Sequence, residues 1–329
     1  MKKVEDYKFP DDYKNIAEKY IMYKRSLGFK FSVHDQIKLN SLLSYIYSHI
    51  IDSNLQLSQD LVEFIAKRNG TESISYLHGR QSLIRQFALF LNLQGITAYV
   101  YPKSLVKTSA DFIPYIYTHD EILEILKVSD SIKSKPQGYK NSYMIFPAIF
   151  RMLYGCGLRV GEAVALTKNN VDLENGIITV MNGKNNVSRL VPMSNSLKKY
   201  LIEYDSKVKR KENPFFFPAR RNEQYATCSI RNKFIIVEKA AGIQQISTGK
   251  HPRLHDLRHT FSVHALEKMI KEGQDVYCSL PILSVYLGHK GIESTEKYLR
   301  LTKQYFQDVL KMNAVDAEKI FPEVEIYEK

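Results

Sequence analysis

The stretch VDLENGIITVMNGKNNVSRLVP, residues 171–192, interrupts a chain that otherwise reads as helix. β-Branched side chains gather at Val171, Ile177, Ile178, Thr179, Val180, Val187 and Val191. Gly176 and the run Asn182-Gly183-Lys184-Asn185-Asn186 carry the tight-turn chemistry that joins neighbouring antiparallel strands. Strands are expected over 171–175, 177–180 and 187–191, forming a small antiparallel sheet with Lys184 at a turn. The fold class that follows is mainly α with a small antiparallel β-sheet.

Outward from the sheet the period returns to that of helices. Upstream, 118–165 reads as helical, with Thr118 as N-cap before an acidic first turn and breaks at Pro136-Gln137-Gly138, Gly155 and Gly157. Downstream, helices resume after Pro192, pause at Asn213–Pro218 and continue past His255 and Tyr298. Between 11 and 93, Leu39, Leu42, Leu43, Ile46 and Ile50 make one apolar stripe, and Leu83, Ile84, Phe87 and Leu91 another. Asn69-Gly70 and Gln94-Gly95 punctuate these helices. Irregular text from Tyr101 to Tyr117, with Pro102 and Pro114, separates the two regions. Three segments result: a helical N-terminal domain over 1–105, a linker over 106–117, and a second domain with a helical tail over 118–329. A chain of 329 residues is roughly twice the usual domain size, which agrees with two domains.

Lys and Arg number 47 against 35 Asp and Glu, a net charge of +12. The excess is shared, +5 before residue 110 and +7 after it. Two basic domains fit one long polyanion, nucleic acid, better than a small phosphorylated metabolite. Arg80 and Arg85, flanking the second stripe, are candidate phosphate contacts. Cys156, Cys228 and Cys278 are scattered and odd in number, so they suggest neither a disulfide framework nor a zinc knuckle, and are expected as buried reduced thiols. No apolar run approaches the ~18 residues a membrane span needs, and a cytoplasmic protein is expected.

Three segments concentrate Arg, His and Tyr: GCGLRVGE at 155–162, HDLRH at 255–259, and LGH at 287–289 followed by Lys297-Tyr298. His255 and Arg258 are three apart, a spacing that sets a proton carrier and a cation on one helix face. Displacement at a phosphodiester without a metal needs cations on the non-bridging oxygens, a nucleophile, and groups that move protons on and off the bridging oxygens. Arginine suits the clamp, because its planar fork donates two parallel hydrogen bonds to phosphate and stays charged. Arg159 and Arg258 are the natural pair. These residues alone do not single out one nucleophile among 22 tyrosines.

Taken together, Gly157-Leu-Arg159-Val-Gly-Glu162, His255-x-x-Arg258-His259, Leu287-Gly-His289 and Tyr298 nine residues later resemble the tyrosine recombinase (phage integrase) family, from about Thr118 to Leu301. The resemblance implies a helical core-binding, DNA-binding domain before an α+β catalytic domain. It gives Arg159 and Arg258 the phosphate clamp, Glu162 support of the site, and His255 the proton near the nucleophile. His289 becomes a hydrogen-bond donor to phosphate and Tyr298 the nucleophile. Lys184 matches the turn lysine that protonates the leaving 5′-oxygen, with Lys168 a nearby alternative; the following Arg189 and Val191-Pro192 favour Lys184.

The activity implied is site-specific DNA recombination through a 3′-phosphotyrosyl intermediate and a Holliday junction, integrating or excising a mobile element. Double-stranded DNA sites, a homotetramer and an accessory directionality factor are the implied partners. No cofactor or metal is expected, since the bond energy stays in the covalent intermediate. The alternatives are a relaxing enzyme like type IB topoisomerases and a DNA-binding relative without catalysis. An additional arm-binding domain is not expected. Tyr305, Phe306, Val309 and Leu310 form a stripe for docking on a neighbouring protomer or on their own domain.

Overall fold

The computed structural model describes residues 7–49, 55–103, 113–132, 141–181, 188–210, 212–219, 223–245 and 251–289, with Thr295, Tyr298 and Leu301. The chain divides into two compact units, Met1–Phe112 and Ile113–Lys329. The run Pro136-Gln137-Gly138, Lys184 and the stripe at 305–310 lie outside the described residues.

The first unit holds helices α1 (Asp11–Ser26), α2 (Val33–His49), α3 (Gln59–Ala66) and α4 (Ile74–Leu93). The side chains of Ser58 and Ser73 accept main-chain N–H groups at the starts of α3 and α4, satisfying donors that have no partner inside the helix. Leu39, Leu42, Leu43 and Ile46 face the core from α2, as their spacing predicts, and Ile84, Phe87 and Leu91 do so from α4. Tyr20 joins them, edge-on to Phe31, Phe87 and Phe90.

The second unit begins earlier than the linker expectation places it. Ile116 and Tyr117 are already buried there, because the Tyr117 N–H donates to Thr260 Oγ1 at 3.1 Å and its ring enters the core. Thr118 and Glu121 then form a reciprocal capping box that starts α5 (His119–Asp130). Helix α6 (Ser142–Gly155) is apolar on nearly every side and forms the centre of the unit, with Ile145, Ala148, Ile149, Phe150 and Met152 inaccessible to solvent. A short α7 (Val160–Ala165) leads to the sheet, β1 (Val171–Asp172), β2 (Ile177–Val180) and β3 (Arg189–Pro192), in the order β1-β2-β3 and antiparallel throughout.

The first strand is shorter than expected. Asp172 Oδ1 accepts the N–H groups of Glu174 and Asn175, which turns the backbone out of the ladder. Ile178 pairs with Val191, both fully buried, and Val180 pairs with Arg189. Directly opposed residues share a face, so this register sends the Arg189 side chain inward. Helices α8 (Asn195–Lys207), α9 (Thr227–Ala240), α10 (Asp256–Lys271) and α11 (Val276–Leu287) follow, with irregular chain at Asn213–Pro218 as expected. Among the cysteines only Cys156 is buried; Cys228 and Cys278 are exposed near the first turns of α9 and α11, so the expectation of three buried thiols fails for those two. No helix among the described residues is long and apolar enough to cross a membrane.

Candidate active site

Four chain segments of the second unit meet here: the start of α7, the start of β3, the N-terminal half of α10 and the end of α11 with Tyr298 beyond it. Helix α10 is unusual in burying Asp256, Arg258, His259, Thr260 and Ser262 as well as its apolar side chains. Buried polar residues on this scale mark structure retained for function or for a hydrogen-bond network, because each costs free energy unless partnered.

Arg258 is 2% exposed and donates to the carbonyls of Gly157 at 2.6 Å and Leu287 at 2.8 Å. Burial, reinforced by the charge of Arg159, lowers its pKa to about 10, so it stays charged at neutral pH. Gly157 has φ +57, and a Cβ there would lie 2.4 Å from the Phe261 ring, so the carbonyl reaches Arg258 only because the residue is glycine.

Arg159 caps α7, and its main-chain N–H and its guanidinium both bond to Glu162, at 3.0 and 2.8 Å. Arg189 grips the same carboxylate with two nitrogens, at 3.2 and 2.9 Å, while its Nε donates to the Tyr286 carbonyl at 2.8 Å. Burial opposes ionisation of Glu162, yet the bonds from Arg189 and Arg159 more than offset it and bring the carboxyl down to about 2. Glu162 is therefore a fixed negative charge that orients two guanidinium groups. Gly288, in the left-handed conformation at the end of α11, lets Arg189 pass: a Cβ there would sit 3.1 Å from its Cδ.

His289 Nε2 lies 3.2 Å from the Arg258 guanidinium, and its Nδ1 lies 2.8 Å from Thr295 Oγ1. A guanidinium only donates, so Nε2 accepts and the ring carries its proton on Nδ1. Tyr298 is 1% exposed, its ring against the α10–α11 core and stacked beside His289 with centroids 6.2 Å apart. Its hydroxyl is 3.1 Å from Nδ1 of His259. Burial raises the Tyr298 pKa, while Ser262, Arg258 and Arg159 pull against that rise. His255 stands at the N-cap of α10, exposed, with its ring edge-on to His259 at 4.8 Å.

Of the residues expected from the sequence, Arg159, Glu162, Arg258, His289 and Tyr298 are thus linked through direct contacts or charge, and His255 joins them through His259. Lys184 lies outside the described residues, and Lys168 is an exposed side chain 4.0 Å from Asp205. Arg80 and Arg85 are engaged within the first unit: Arg80 donates to Glu72 and to the Lys67 carbonyl, Arg85 to the Tyr101 carbonyl. Reading the sequence missed the roles of Arg189 and His259. For His259 a signal was present, since 255, 258, 259 and 262 fall on one helical stripe. Among the described residues no group of three His, Cys, Asp or Glu is arranged to hold a metal ion.

The sequence pattern of the phage integrase family matches residues 116–305, more than half of the chain and all of this site. The chain belongs to the phage integrase family. It is a tyrosine recombinase, an enzyme that cuts and rejoins DNA. Tyrosine recombinase XerC of Oceanobacillus iheyensis is 31% identical over 69% of this chain and 70% of its own length. Tyrosine recombinase XerD of Listeria monocytogenes is 28% identical over 83% and 88%. The fold is similar to that of the Tn1549 transposon integrase, solved in complex with circular intermediate DNA, with a TM-score of 0.61 and 18% identity over 86% of this chain and 94% of that one.

Proposed function

We propose that this chain performs site-specific recombination with Tyr298 as nucleophile, Arg159 and Arg258 as the phosphate clamp and His289 as a further phosphate ligand, which gives up its bond to Arg258 and donates from a protonated Nε2 when phosphate binds. The observation that carries the reading is that the buried Tyr298 phenol stands in one cluster with Arg258, His259 and the partly buried His289. The phenolic oxygen attacks the scissile phosphorus and the bond to the 5′-oxygen breaks, leaving a 3′-phosphotyrosyl link and a free 5′-hydroxyl. Lys184 supplies the proton to that leaving oxygen. The 5′-hydroxyl of a partner strand then attacks the phosphotyrosine, so no external energy source enters. Two guanidinium groups held in advance neutralise charge that grows on the non-bridging oxygens, at no cost in reorganisation during the reaction.

The acting form is a homotetramer on two double-stranded DNA sites, passing through a Holliday junction, with an accessory factor setting direction. Its setting is the cytoplasm, and its cargo a mobile element, a reading supported by the fold shared with a transposon integrase. The net charge of +12 agrees with a phosphate-tracking interface. The test is Tyr298→Phe on a nicked suicide substrate. DNA binding is expected to persist and the covalent protein–DNA adduct to vanish; an unchanged adduct yield overturns the assignment.

A further inference from the structure

One contact of the cluster has no part in the scheme above: the hydrogen bond between Tyr298 and His259. Both side chains are buried, at 1% and 5% exposure, and the phenolic oxygen is 3.1 Å from Nδ1. When the imidazole carries its proton on Nε2, the hydroxyl donates to Nδ1. That distance lies within the range required of a general base. The neighbouring imidazole, His289, is differently committed, with Nε2 accepting from Arg258 and Nδ1 on Thr295. His255, the residue to which the motif gives the proton, sits at the exposed start of α10, edge-on to His259 at 4.8 Å.

We propose that His259 is the base that receives the phenolic proton of Tyr298, and that His255 is the outlet through which that proton reaches water. The proposal rests on the reading of Tyr298 as nucleophile. As the phenolic oxygen bonds to phosphorus and the bond to the 5′-oxygen breaks, the phenolic proton moves to Nδ1 and His259 becomes an imidazolium. The leaving oxygen takes its own proton from Lys184. In rejoining, an incoming 5′-hydroxyl loses its proton to that lysine, and the departing phenolate recovers one from His259. The need for a base follows from burial, which keeps the phenol protonated at neutral pH although Ser262 and the two guanidinium groups favour its ionisation. His259 is buried and has no direct route to water of its own, so the exposed His255 ring at its edge supplies one.

The test is single-turnover cleavage of a suicide substrate by the full chain. His259→Asn keeps a polar atom near the position of Nδ1 and removes its basicity. It is expected to bind DNA normally and to cleave more slowly, on the order of 10²-fold. Replacing Tyr298 by trifluorotyrosine, whose phenol ionises more easily, is expected to restore most of the rate in His259→Asn and to change the unsubstituted protein little. Equal losses with either phenol, or an Asn variant that cleaves at full rate, overturn the proposal. Should the Asn variant fail to fold, the unsubstituted protein still decides. The acid limb of its rate–pH profile stays in place on fluorination if a histidine sets it, and a limb that moves with the phenol overturns the base. Loss of the nucleophile reading itself appears separately, as adduct formed by Tyr298→Phe.

Discussion

Two carboxylates of the second unit, Glu162 and Glu238, are largely withdrawn from solvent and behave in opposite ways. Glu162, between Arg159 and Arg189, is brought down to about 2. Glu238, on α9, accepts the Tyr117 hydroxyl, has its other oxygen buried without a partner, and lies within reach of the Asp256 charge. There burial prevails, with Asp256 adding to it, and the carboxyl rises to about 7. The same functional group is thus held fully charged between Arg159 and Arg189 and only about half ionised at neutral pH where α9 and the chain before α5 close the core. Burial alone does not determine ionisation; the donors that surround the group do.

The sharpest way to break this contrast is to remove a cation from the charged side. Arg159→Ala, at a partly exposed position, is expected to slow suicide-substrate cleavage by something on the order of 10² to 10³, and near-normal rates would remove the clamp from the account. Arg189→Ala tests whether Glu162 orients Arg159 or merely accompanies it. It leaves a buried carboxylate with one partner instead of two, so both a loss of stability of about 3 kcal/mol and slower cleavage are expected. Arg189→Lys should recover more stability than rate, since an ammonium cannot reproduce the two-nitrogen grip, and a variant that recovers both equally speaks against an orienting role.

The Glu238 side should move stability and not chemistry. The folded value of Glu238 lies above that of an ordinary carboxyl, so unfolding releases a proton and stability falls as pH rises from about 4.5 to about 7, then levels off. The loss is on the order of 3 kcal/mol. Glu238→Gln should flatten this slope in pH-dependent melting while leaving cleavage unchanged; a slope that persists refutes the assignment. Glu162 has the reverse sign: its contribution is whole above about pH 4.5 and disappears as pH falls toward 2. The smallest effect is expected away from both, at the α5 capping box, where Thr118→Ala should cost about 1 kcal/mol in denaturant unfolding.

The helices were legible because their apolar spacing is local: Leu39 to Ile46 and Ile84 to Leu91 can be read without knowing what they face. So was the cap at Thr118, which needs only the three residues after it. The convergence of Arg159 and Arg258 was legible as a pattern of residue types. Arg189 was not, since its role depends on a strand register that points it inward and on partners 27 and 97 positions away. Tyr117 falls in the expected linker for the same reason: Glu238, which fixes its hydroxyl, lies 121 residues downstream. His259 was visible beside Arg258, but its importance depends on a hydroxyl 39 residues on.

In the proposed reaction one phenol among 22 tyrosines becomes joined to DNA. Trapping the cleaved complex on a suicide substrate, digesting it and locating the nucleotide by mass spectrometry tests this directly. A single modified peptide with the phosphate on Tyr298 is expected. A phosphate on any other side chain, or cleavage without a covalent peptide, contradicts it.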